Sequence, residues 1–126
     1  MKITSFDPVI VTPNAEAVVK LFEELGFEKR HAPTNEIHGA EVTSNRLENA
    51  DGYHVDVVST SAEMDRDRMV IRMNVDDFEA AYNILTAHGF KNLHGEETID
   101  VKTAKAATLE APSGFRIAIV KHIKEN

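Results

Sequence analysis

The chain has 126 residues, 42% of them hydrophobic and 28% charged, with a formal net charge of −7 and no cysteine. A chain of that size buries about two thirds of its unfolded surface, and the missing thiols exclude disulfides, thiolate catalysis and cysteine-based zinc or iron-sulfur sites. An acidic chain without a Lys/Arg run excludes a nucleic-acid partner, and no apolar stretch is long enough to span a bilayer.

Met1-Lys2 leads straight into strand-like sequence, so no signal peptide is expected and the cytoplasm is the expected location. Ile3 to Thr12 alternates with period two and predicts a strand, Val9 and Val11 turned to a helix, Phe6, Pro8, Ile10 and Thr12 turned away. Asn14 to Phe27 (NAEAVVKLFEELGF) predicts an amphipathic helix with an apolar stripe of Val18, Leu21, Phe22 and Leu25. Asn14 is its expected N-cap, and Gly26 its left-handed terminator. Glu28 to Thr34 reads as a polar edge strand, and His38 to Asn45 as a weak strand with Ala40 and Val42 inward. After an Asp51-Gly52 turn, Tyr53 to Val58 is a strand with Tyr53, Val55 and Val57 inward and His54, Asp56 and Val58 outward.

Thr60 to Asp67 is a polar joint, and the plan then recurs. Arg68 to Val75 predicts a strand with Ile71, Met73 and Val75 toward the helix and Val70, Arg72 and Asn74 away. Asp77 to Phe90 (DFEAAYNILTAHGF) stands 63 residues after the first helical stretch, with Glu79, Ala80, Gly89 and Phe90 over Glu16, Ala17, Gly26 and Phe27. Its stripe is Phe78, Ala81, Tyr82 and Leu85; Asp76 or Asp77 caps it, and Glu79 closes a capping box onto Asp76. Val9 and Val11 correspond to Ile71 and Met73 if one residue is gapped before the helix. Lys91 to Lys105 reads as a short strand and a long loop, Lys105 to Glu110 as a strand, and Ala111 to Gly114 as a turn. Phe115 to Val120 is the last strand, Phe115, Ile117 and Ile119 inward and Arg116, Ala118 and Val120 outward, before a fraying tail. The expected fold class is α+β, one domain of two tandem βαβββ modules at about 1–60 and about 68–126, helices outside and a curled sheet enclosing a cleft.

The openings FDPVIVTPNAEAVVKLFEELGFE and MVIRMNVDDFEAAYNILTAHGF, with the closing LEAPSGFRIAIV, resemble the vicinal oxygen chelate superfamily, the group of glyoxalase I, bleomycin resistance proteins, fosfomycin resistance enzymes and extradiol dioxygenases. The resemblance covers nearly the whole chain; Val75 to Ala81 and Ala111 to Ile119 are its most specific pieces. It implies a frequent homodimer and, in the enzymes, a divalent metal held by His or Glu on the first and last strand of each module. Carried over, those positions fall on Pro8, Asp56, Val70 and Ala118, with His54 on the same face as Asp56. One carboxylate and one imidazole are too few for a catalytic metal, so neither a metal nor another cofactor is expected. A one-residue slip on the first strand would offer Asp7, but the apolar phase of Val9 and Val11 opposes it.

On the face turned from the helices, Arg72 and Arg116 suit a bidentate clamp on a carboxylate or phosphate, or alternatively ion pairs with Asp56 or Glu110. His54 is a candidate acid/base or polar anchor, and Asp56 a partner for an arginine. His31, Glu36, His38 and Glu41, and likewise His94, Glu96 and Glu97, lack metal-ligand spacing and read as solvated surface. Met64, Met69 and Met73 read as joint and core filling. Two functions follow. One is a small-molecule-binding protein without metal, holding an organic ligand, anions included, at Arg72, Arg116, His54 and Asp56. The other is a glyoxalase-like lyase or related enzyme on an oxo or hydroxy acid, with an atypically bound metal or with His54 or Asp56 as general base.

Overall fold

The computed structural model of the chain describes residues 1–37, 39–61, 64–95, 98–101 and 104–122. Among the described residues the element order is β1 (Ile3–Thr12), α1 (Ala15–Glu24), β2 (Glu28–His31), β3 (Thr34–Ile37), β4 (Ala40–Glu48), β5 (His54–Thr60), β6 (Arg68–Val75), α2 (Phe78–Ala87), β7 (Lys91–Asn92), β8 (Ile99–Val101), β9 (Ala104–Glu110) and β10 (Arg116–His122). This is the expected α+β class. No helix among the described residues is long and apolar enough to cross a membrane. The chain divides into two compact units, residues 7–69 and residues 1–6 with 70–126. The dividing line falls inside β1.

In the N-terminal unit, residues 7–69, the strand order is β2-β4-β5-β1, with β3 also paired to β4. β1 runs parallel to β5, Val9 beside Asp56 and Ile10 beside Val57, while β4 is antiparallel to β5. The core is Ala15, Val19, Leu47, Val55 and Val57, ringed by Ile10, Val18, Phe22 and Phe27. Two expectations are corrected here. Ile10, not Val9 and Val11, packs with the residues around α1, so Val9 shares its face with Asp56 and Pro8 turns to the helix side. The α1 stripe is Ala15, Val18, Val19 and Phe22, whereas Leu21 and Leu25 are 51% and 63% exposed. The causes differ: in β1 Val9, Ile10 and Val11 are all apolar, so alternation carries no phase there, while in α1 the small Ala15 and β-branched Val18 and Val19 are buried and the larger Leu21 and Leu25 mimic a stripe. The polar edge is two strands broken at Ala32-Pro33 rather than one, since proline withholds a ladder donor. In β4 the inward residues are Asn45 and Leu47, with Val42 on the other face. Tyr53, expected inward, is 69% exposed beside the turn, where Asn49 Oδ1 accepts from the backbone N–H groups of Asp51 and Tyr53.

In the C-terminal unit, residues 1–6 and 70–126, the order is β1-β6-β10-β9-β7, with β8 paired to β9. β10 is parallel to β6 and antiparallel to β9. Val75, Phe78, Ala81, Ala107, Leu109, Ile117 and Ile119 form the core, with Ile71, Met73, Tyr82, Leu85 and Phe90 packed on it. The expected α2 stripe and strand phases are therefore the observed ones. Phe115 is half exposed instead of inward, its ring edge-on to Phe90 at 5.5 Å. Met69, expected as filling, is exposed. Asp77 Oδ1 caps α2 by accepting from the Ala80 N–H at 3.1 Å, while Asp76 Oδ1 accepts from the Lys2 N–H at 2.6 Å in place of the expected capping box. Gly89 ends the helix at φ 86°, and a Cβ there would stand 2.9 Å from Pro112 Cγ.

The pairings make the two units comparable residue by residue. Val9 beside Asp56 matches Arg72 beside Ala118, so the 63-residue spacing of the helices continues back through the strands without a gap. On this register Asp7 stands where Val70 does, Ala15 where Phe78 does and Leu47 where Leu109 does. Leu47 and Leu109, 1% and 0% exposed, occupy corresponding core sites. Each contributes roughly 1.5–3 kcal/mol by burial.

Candidate functional site

Strand register in the C-terminal unit lays out the face opposite α2 in rows. Val70 lies beside Arg116 and Arg116 beside Glu110; Arg72 lies beside Ala118 and Ala118 beside Thr108. The next row is Asn74, Val120 and Ala106. Alternation sets these residues on the side away from Ile71, Met73, Ile117 and Ile119, as expected. Ala118 and Thr108, the neighbours of Arg72 along its row, carry short side chains. Arg116 Nε donates to Glu110 Oε2 at 3.0 Å, so one edge of that guanidinium is already engaged. Asn74 Oδ1 is buried and accepts no hydrogen bond among the described residues, an acceptor that a donor would satisfy.

The face of the N-terminal unit opposite α1 carries different chemistry. Asp56 is 5% exposed and lies between Val9 on β1 and Arg46 on β4, an opposite-charge neighbour across the ladder. His54 lies opposite Glu48, its Nε2 3.8 Å from Glu48 Oε1, with its side chain 56% exposed. Asp7, two residues before Val9, shares this face. Pro8, placed here by sequence pattern, does not. The structure thus sets His54 and Asp56 together on one unit, and Arg72 and Arg116 together on the other. Among the described residues no three His, Asp or Glu side chains assemble as a metal-holding group. Glu36 and Glu41 face one another across a ladder and His31 lies opposite Arg46; His38, Glu96 and Glu97 lie outside the described residues.

Residue order alone set Asp7 aside on the phase of Val9 and Val11, placed Asn74 outward without a role, and did not single out Arg46. The signal for Asp7 was available, because an ungapped 63-residue spacing puts it over Val70. Nothing in the alternation marks Asn74 or Arg46 apart from any polar residue on an outward face.

The model of the Glyoxalase/Bleomycin resistance protein/Dioxygenase superfamily matches residues 5–119. The chain belongs to that superfamily. Among solved structures it is similar to methylmalonyl-CoA epimerase from Mycobacterium tuberculosis, at 14% identity, TM-score 0.73, and coverage of 97% of this chain and 90% of that one. It is also similar to the Streptomyces coelicolor methylmalonyl-CoA epimerase in complex with 2-nitronate-propionyl-CoA, at 17% identity and TM-score 0.65 over 98% of this chain and all (100%) of that one. A glyoxalase superfamily member from Vibrio splendidus matches at 16% identity and TM-score 0.61, covering 95% of this chain and 99% of that one. These likenesses establish the glyoxalase fold. No curated protein matches the chain by sequence.

Proposed function

We propose that the chain is a small-molecule-binding protein of the glyoxalase superfamily that holds a small organic anion, a hydroxy acid above all, on the sheet face of β6, β9 and β10 without a metal. The observation that carries this is the adjacency of Arg72 and the unsatisfied Asn74 Oδ1 on one strand face. A guanidinium donates two parallel N–H bonds to a carboxylate, and a hydroxyl on the neighbouring carbon donates to the amide oxygen. Arg116, whose Nε donates to Glu110 Oε2, offers its remaining N–H groups as a further contact. The metal positions of the family, corrected for the phase of β1, are Asp7 and Asp56 in one unit and Val70 and Ala118 in the other. Valine and alanine offer no lone pair, and two carboxylates fall short of the about three protein ligands of a catalytic metal, so the residues present do not fit one. His54 and Asp56 stay in this reading as polar anchors, and a homodimer as the assembly that the resemblance implies.

Thermal unfolding with acetate, glycolate, lactate and inorganic phosphate tests the proposal. Glycolate and lactate raise the melting temperature more than acetate does; Arg72→Ala abolishes the rise, and Arg116→Ala lowers it. An unchanged rise in Arg72→Ala overturns the reading, as does near one equivalent of nickel, zinc or manganese retained after dialysis.

A second reading rests on Asp56, a buried carboxylate on the same face as Asp7. A carboxylate so placed suits proton abstraction next to a carbonyl, the chemistry of an enzyme on an oxo or hydroxy acid. Solvent deuterium entering pyruvate or lactate, and lost in Asp56→Asn, would favour it over binding alone.

A further inference from the structure

On the helix side of the N-terminal unit an open groove of about 520 Å³ separates α1 from the sheet. Glu16, Val19, Lys20 and Glu23 form its helix wall, Lys29 of β2 stands at the far rim, and Thr43, Asn45 and Ser59 line the rest. Asn45 is 8% exposed and donates from Nδ2 to the Val57 carbonyl at 3.0 Å, which fixes its amide. Glu16, Lys20, Glu23 and Lys29 make no ion pair or side-chain hydrogen bond among the described residues, although Glu16 and Lys20 are one turn apart.

The C-terminal unit shows what fills the corresponding space. Glu79, the counterpart of Glu16, accepts a hydrogen bond from Lys105 Nζ at 2.9 Å, and the same ammonium lies 5.0 Å from the centroid of Phe78. Lys105 pairs with Lys121 as Thr43 pairs with Ser59, so Thr43 stands where Lys105 does, and Ala15 stands where Phe78 does. Exchanging a lysine for threonine and a phenylalanine for alanine removes the ammonium and the ring while keeping the carboxylate. The groove borders Thr43 and Glu16, the positions at which the other unit closes its seam with Lys105 and Glu79.

We propose that this groove is a binding site for a small zwitterion, a molecule with a primary ammonium and a carboxylate separated by a short aliphatic chain. Its ammonium takes the place of the Lys105 Nζ, against Glu16, and its carboxylate meets Lys29 and Lys20 across the groove. The volume lies within the range of small-molecule sites, and the hydroxyls and fixed amide beside Val19 and the lysine stems suit a short aliphatic chain with charged ends. The site is independent of the anion face, which belongs to the other unit and shares none of its residues.

The test is titration of the full chain with 5-aminopentanoate, followed by amide chemical shifts in two-dimensional NMR. Shifts are expected to concentrate at Glu16, Lys20, Lys29, Thr43 and Ser59, with n-butylamine and pentanoate each binding about tenfold or more weakly than the zwitterion. Thr43→Lys supplies the chain's own ammonium to Glu16 and abolishes the response. Glu16→Gln, an exposed isosteric change that leaves the fold intact, weakens the zwitterion about tenfold and leaves pentanoate unchanged. Shifts scattered over the surface, an equal response to sodium chloride, or full binding in Glu16→Gln would overturn the assignment.

Discussion

The seams beneath the two helices were built on one plan and finished differently. Under α2 the Phe78 ring fills the space against the sheet, Lys105 closes over it onto Glu79, Asp77 caps the first turn and Pro112 packs on Gly89. Under α1 the equivalent residues are Ala15, Thr43 and Glu16; Asn14 makes no side-chain cap bond, and nothing stands within 4 Å of a Cβ at Gly26. The strands pair in the same register in both. Backbone plan and seam closure are thus separable: a few substitutions at matched positions decide whether a helix is sealed onto its sheet or leaves a wettable gap. Where the seam is closed, side chains are committed to stability; where it is open, they remain available to a ligand.

Emptying the closed seam should have the largest effect. Phe78→Ala leaves a cavity among Val75, Ala81 and Leu109 and should destabilise by roughly 3–5 kcal/mol, read from urea denaturation. Ala15→Gly, its counterpart, should cost only about 1 kcal/mol, and equal losses would erase the distinction between the seams. Next come the caps. Asp77→Ala should cost about 1 kcal/mol because the Ala80 N–H loses its acceptor, while Asn14→Ala should fall within about 0.5 kcal/mol of wild type. Amide hydrogen exchange in the first turn of each helix separates the two.

The smallest effect is electrostatic. The hydrogen bond to Glu79 raises the Lys105 pKa above 10.5, against a lowering by desolvation and with added attraction from Glu79 and Asp100. A lysine with a raised folded pKa contributes stability that is fully present below the unfolded value, about 10.4, and is lost as pH rises through the folded value. Melting temperatures followed across that alkaline range should fall more steeply for wild type than for Lys105→Met. Parallel curves would show that the ammonium is not what closes the seam.

Much of this was legible from residue order. The α2 stripe, the phase of β6 and β10 and the outward placement of Arg72 and Arg116 followed from periodicity, because in that unit large apolar residues hold the buried positions. In the N-terminal unit periodicity misled, since Leu21 and Leu25 are more apolar than the Ala15 and Val19 that are buried, and Val9 is covered while facing away from α1. The repeat itself carried the remedy: moving the Phe78, Ala81, Tyr82 and Leu85 stripe back by 63 residues lands on Ala15, Val18, Val19 and Phe22. The Glu79–Lys105 bond and the groove were illegible, being products of side-chain reach between elements 26 residues apart. The ion pair that engages Arg116 was one of two readings open to it, and Glu110 is the acid that takes it.

The division of β1 has a consequence for cutting the chain. Residues 1–6 belong to a unit otherwise built from residues 70–126, with the whole of the other unit between them in sequence. Ile3 and Phe6, within those six residues, are exposed. Proteolysis in the 61–69 joint would not yield two self-sufficient halves, because the second fragment would leave its own first strand behind on the other.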